Sequence, residues 1–98
     1  MSLTEIIAAD RRLAILRALE EDPDYAHNEM VLRVALGTLG HSVSHDRLRA
    51  DLAWLEEQQL VTIDGVADLQ VARLTARGED AALGRARVPG VRRPGPGE

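Results

Sequence analysis

Ninety-eight residues with a formal net charge of −4 and no cysteine make one small domain and exclude disulfides and thiolate metal sites. All twelve basic residues are arginine, and only Tyr25 and Trp54 are aromatic, a poor supply for a single-strand binder that stacks bases on rings. No apolar run approaches the roughly 20 residues of a membrane span, and the N-terminus lacks the basic-then-apolar pattern of an export signal, so a cytoplasmic protein is expected.

Ser2-Leu3-Thr4-Glu5 has the pattern of a capping box and opens a first helix over about residues 3–21, ended by Pro23 and Asp24. On a helical wheel this segment has two apolar surfaces. Ala8, Ile15, Leu16 and Leu19 cluster on one side, and Leu3, Ile6, Ile7, Leu13 and Ala14 spread across the other. A helix on the outside of a domain needs one apolar stripe. The second is either covered by the C-terminal segment or is a contact between two copies, with Leu3, Ile6, Ile7 and Leu13 as the candidate dimer residues.

Asn28 is placed to cap a second helix over about 29–39, with Met30, Leu32, Ala35, Leu36 and Leu39 as its buried set. Gly40 is placed to end it in a left-handed conformation, and His41-Ser42-Val43 is a turn. Ser44 then caps a third helix, with Asp46 in the first turn. Leu48, Leu52, Leu55 and Gln59 share its core face. Asp46, Ala50, Ala53 and Glu57 face outward, flanked by Arg49 on one edge and by Arg47 and Trp54 on the other. Arg47 has Asp51 four residues on as a helix partner.

Leu60–Ile63 reads as a strand and Leu69–Leu74 as its return, with Asp64-Gly65 as the turn or a longer loop reaching Asp68. Thr75 caps a last helix that ends at Gly84. From Arg85 the chain is rich in proline and glycine and loses any amphipathic period. Residues 1–84 are therefore expected to fold, and residues 85–98 to form a basic tail, extended or disordered, docking at Val88 and Val91. The body holds eight arginines and fifteen acids, and the tail four arginines and one acid. The body would repel a phosphate backbone at long range, whereas the tail would attract it. The expected fold is mainly α with a small β-hairpin, in the element order of a winged helix-turn-helix.

The stretches NEMVLRVALGTLGHSVSHDRLRADLAWLEEQQLVTIDG and LTARGEDAALGRARVPGVRRP resemble a family of small winged-helix proteins of Mu-like transposable bacteriophages and prophages, often labelled as regulators of the ArsR type. The specific parts are the Leu39-Gly40 turn, the WLEEQ helix end and Leu74-Thr75-x-x-Gly78. The resemblance implies a winged-helix fold and a phage or prophage origin, hence a bacterial host cytoplasm. Metal-sensing ArsR proteins usually bind through cysteines, which this chain lacks.

Two functions fit this reading. The first is a DNA-binding transcriptional regulator that docks its third helix in the major groove of duplex DNA. Arg47 and Arg49 would read bases, Ser44 and His45 would lie near phosphates, and Ala50 would let the helix sit deep. Arg73 and Arg77 would serve beside a hairpin tip that carries only acids, and Arg85, Arg87, Arg92 and Arg93 would supply attraction. The second is a winged-helix interaction module that binds phage proteins during assembly or packaging without touching DNA. No phosphate loop, nucleophile elbow or HExxH motif points to an enzyme or a cofactor. His41 and His45 are four apart, but the Ser44 cap separates them, and no third metal ligand is near.

Overall fold

Seven elements follow one another as α1 (Leu3–Glu20), β1 (Ala26–Asn28), α2 (Glu29–Thr38), α3 (His45–Glu57), β2 (Val61–Val66), β3 (Leu69–Leu74) and α4 (Ala76–Ala82). The structure, a computed structural model, describes residues 1–98, the side chain of Val66 apart. Four helices pack with one small antiparallel sheet.

All four helix starts use the side-chain caps that the sequence predicts. Ser2 Oγ accepts from the Glu5 amide, Asn28 Oδ1 from Val31, Ser44 Oγ from Arg47 and Thr75 Oγ1 from Gly78. Each bond satisfies one of the orphan amides of a first turn. Three of the ends share one geometry, a six-to-one bond closed around a left-handed residue. His41 N–H donates to Leu36 O, Leu60 to Leu55 O and Arg85 to Asp80 O. The left-handed residues are Gly40, Gln59 and Gly84. Gln59 thus lies outside α3 and is exposed, which corrects its placement on the core face. Leu60 takes the buried position instead.

The sheet has the order β1-β3-β2. β1 has no counterpart in the sequence reading. It is three residues long, carries no β-branched side chain, and exists because β3 offers it an edge from Val71 to Arg73. The hairpin turn also differs. Asp64 and Gly65 lie inside β2, opposite Val71 and Gln70, and Ala67-Asp68 makes the turn. The base of the hairpin sets this register. Thr75 donates its amide to Leu60 O and its hydroxyl to Gln59 O, which aligns Val61 with Leu74 and leaves Ala67-Asp68 as the midpoint.

The core is a leucine cluster: Leu16 and Leu19 of α1, Leu32 and Leu36 of α2, and Leu48, Leu52 and Leu55 of α3, closed by residues of the sheet and α4. Met30 and Leu39, expected in the buried set of α2, are exposed. Inside this cluster's edge sits an ion pair. Arg11 donates through Nε to Asp51 Oδ2 at 2.5 Å and through Nη2 to Oδ1 at 3.2 Å, and both residues are buried. Asp51 is therefore the partner of α1, not of Arg47.

Residues 85–98 do not trail free. They return across α1, with Val88 in the core and the Arg92 amide donating to Ala9 O. Trp54 is half-buried under this strap. The Arg12 guanidinium lies 4.0 Å from its ring centre, in cation–π range, and Arg12 Nη1 donates to Gly90 O.

Candidate nucleic-acid interface

The exposed side of α3 holds Ser44, Asp46, Arg47, Ala50, Ala53 and Glu57. Ser44 is occupied as a cap. Ala50 and Ala53 face outward as the sequence predicts. Arg47 is exposed and has no acceptor among the described residues. It is the one base-reading candidate on this helix that stays available.

Arg49 is not available. Its Nε donates to Glu29 Oε1 and its Nη2 to Glu29 Oε2, both at 2.8 Å, and Nη2 also reaches Asp68 O at 2.8 Å. His45 Nε2 lies 2.8 Å from Glu29 Oε1. The Gln70 amide donates to Glu29 Oε2. Glu29 is the first residue of α2 and is buried. The Arg49 fork holds its carboxyl down at about 2, against the opposing cost of burial and with the help of the Gln70 amide and the charges of Arg49 and His45. This single carboxylate joins α2, α3 and the hairpin. His45 and Arg49 were expected to touch phosphate and base. They are instead one turn apart on the edge of α3 that meets Glu29.

The arginines expected beside the hairpin are also engaged. Arg73 Nη1 donates to Asp24 O and Arg77 Nε to Gln58 O. Arg73 pairs with Thr62 and Ala26 at the base of the hairpin, far along β3 from the Ala67-Asp68 tip. In the strap, Arg85 reaches Asp80 and Glu79. Arg92 Nε donates to Asp10 Oδ1 at 2.7 Å, and its Nη1 and Nη2 to Glu98 at 3.0 and 2.7 Å. These acids raise the Arg92 pKa above its ordinary value, and Arg92 with the Gly95 amide draws Glu98 down to about 2. Among the described residues, Arg87 and Arg93 are exposed without an acceptor. The tail that was expected to attract phosphate thus spends half of its arginines on its own chain.

His41 belongs to a separate cluster. Its Nε2 lies 2.7 Å from Asp10 Oδ2, so His41 and His45 point to different carboxylates.

The expected dimer residues divide. Leu3, Ile6 and Ile7 are exposed, at 72 %, 47 % and 43 % of their surface, whereas Leu13 is 1 % exposed and lies inside its own chain. Leu13 is removed from that set. A further apolar surface on α2 went unrecognised: Met30 is 66 % and Val34 70 % exposed, four residues apart on one face. Its signal was present in the sequence, since α2 has more apolar residues than a single stripe explains.

No family model matches this chain, and no solved structure matches it. Two proteins do. The uncharacterized protein gp26 of Escherichia phage Mu is 48 % identical over 94 residues, which span 96 % of this chain and 97 % of gp26. An uncharacterized protein of Haemophilus influenzae is 44 % identical over 78 residues, 79 % of this chain and 76 % of that protein.

Proposed function

This chain belongs to the family of the phage Mu protein gp26, and from that premise we propose that it is a winged helix-turn-helix module that acts by binding another protein during phage growth. The observation that carries this reading is the use made of its arginines. Arg49, Arg73, Arg77, Arg85 and Arg92 all donate to acceptors of the same chain, while Met30 and Val34 stand in solvent on α2. Breaking the Arg49 fork to free a base reader would strand the buried Glu29 charge, which is costly. The exposed side of α3 adds Asp46 and Glu57 to Arg47, and Asp68 occupies the hairpin turn. Such a surface repels a phosphate backbone. Exposed apolar side chains on a rigid helix are what a protein partner buries. No helix among the described residues is long and apolar enough to cross a membrane.

The DNA-binding regulator is the second reading. It is favoured by Arg47 beside Ala50 and Ala53, with Arg87 and Arg93 as phosphate contacts. Titration of random-sequence duplex DNA at low and moderate salt separates the two. The partner-binding reading expects no saturable binding at low micromolar protein. Salt-dependent binding that Arg47→Ala abolishes would overturn it and make the chain a DNA-binding protein.

A further inference from the structure

The start of α1 stands open to solvent. Residues 1–7 are all exposed, and three of them are Leu3, Ile6 and Ile7. The same face of the helix, further along, forms one wall of a groove. Leu13, Ala14 and Ala18 of α1 face Ala35 and Leu39 of α2 across a cavity of about 500 Å³. Charged side chains, Asp10 and Arg17 among them, line it together with these apolar ones. One end of α1 therefore carries large apolar side chains with nothing over them. The other end offers small side chains beside an unfilled space.

We infer that two copies of this chain pair antiparallel through α1, so that Leu3, Ile6 and Ile7 of each enter the α1–α2 groove of the other. The spacing along α1 fits such a pair. Leu3, Ile7, Asp10, Ala14 and Arg17 alternate steps of four and three, the pattern of a helix–helix seam. A two-fold axis beside Asp10 makes the interface isologous. Leu3 is then level with Arg17 of the other copy and Ile6 with Ala14. At about 1.5 Å per residue the overhang and the groove wall each extend roughly 10 Å from that axis, so the two lengths match. Ile6 then meets the small side chain of Ala14, a large-to-small contact of the kind by which facing layers interdigitate.

The two Asp10 carboxylates would meet at the axis. Each is already held by Arg92 at 2.7 Å and by His41 at 2.7 Å, so neither brings an uncompensated charge. The area is also sufficient. From their fractional exposures, Leu3, Ile6, Ile7 and Leu39 offer on the order of 400 Å² per copy, near the apolar share of a standard interface of about 800 Å² per partner. The pair leaves Met30 and Val34 uncovered, so it stands or falls independently of the partner-binding reading above.

The absence of cysteine in this chain makes cross-linking a clean test. Leu3→Cys and Arg17→Cys both fall on exposed or half-exposed positions. In the antiparallel pair the two Leu3 positions are about 20 Å apart, beyond the roughly 7 Å that a disulfide can span between Cα atoms. Under mild oxidation, a mixture of the two variants should give a covalent dimer, and neither variant alone should. Sedimentation of the wild-type protein should show dimers, and Ile6→Asp should give monomers with an unchanged far-UV spectrum. A wild-type monomer at high micromolar concentration would overturn the inference. So would cross-linking of either variant by itself, or a dimer in which the mixture fails to link.

Discussion

Replacing Gly78 with alanine tests how closely α4 sits on the junction between α3 and β2. A Cβ at this position would stand 2.0 Å from Leu60 O, 2.7 Å from Leu74 Cδ1 and 3.0 Å from Leu60 C. A carbon and a carbonyl oxygen in comfortable contact are about 3.3 Å apart, so the first turn of α4 must retreat by roughly 1.3 Å. The nearest atom is a backbone oxygen and cannot swing aside as the Leu74 side chain can. The retreat also pulls on Thr75, whose amide donates to Leu60 O, whose hydroxyl donates to Gln59 O, and whose Oγ1 accepts from the Gly78 amide. Overpacking of this kind costs about 1–3 kcal/mol, and a weakened cap about 1 kcal/mol. Alanine in a helix returns about 1 kcal/mol. The net expectation is a loss of about 2 kcal/mol. In a domain of this length that lowers Tm by roughly 8–16 °C. Gly37 is the control, because a Cβ there meets nothing within 4 Å. Gly37→Ala should raise Tm by a few degrees, in line with a gain of about 0.5–1 kcal/mol. Thermal unfolding followed by circular dichroism measures both. If Gly78→Ala melts at or above the wild-type temperature, the close approach of α4 to Leu60 is wrong.

Three other outcomes are expected. Arg11→Met should cost about 3–5 kcal/mol in urea unfolding, because it leaves the buried Asp51 charge alone, and adding Asp51→Leu should recover most of the loss; an additive double variant would refute the pairing. Glu29 has a folded pKa of about 2 against an ordinary 4.5, so its contribution is complete above pH 4.5 and is lost as pH falls from 4.5 toward 2. Glu29→Gln should therefore be less stable at neutral pH and show a flatter decline through that window, with faster exchange of the Gln70 amide; an unchanged acid profile would remove Glu29 as the joint between α2, α3 and the hairpin. Gln59 closes α3 in the left-handed region with φ 62°, so Gln59→Gly should stabilise by about 1 kcal/mol, and a lower Tm would show that its side chain is needed.

Local signals carried the helix boundaries well. Ser2, Asn28, Ser44 and Thr75 each precede an amphipathic segment, and a cap is a bond between residues three apart. Long-range geometry was less accessible. The Asp64-Gly65 pair is a strong turn signal, yet Thr75 pins the hairpin base to Gln59 and Leu60, and that constraint decides the register. β1 is a product of the β3 edge rather than of its own residues. The strap at 85–98 has no period to read, because it is held by separate contacts at Val88, Gly90 and Arg92.

The candidate site was hardest to read for one physical reason. An arginine on a helix edge looks the same in sequence whether it awaits phosphate or grips a carboxylate twenty residues away. Arg49 and Arg47 sit two positions apart in one helix, and only the first meets Glu29. The difference lies in the rotation of α3 against α2, which the leucines at 48, 52 and 55 impose by turning inward. Once those three positions are fixed in the core, position 49 must face the start of α2, and a buried acid there finds its partner. Charge balance follows the same logic in the strap, where Arg92 serves Asp10 and Glu98 together. The fifteen acids of residues 1–84 are thus in part the scaffold for these arginines. A surface assembled this way has little cationic charge left over, and on α2 it is Met30 and Val34 that stand out in solvent.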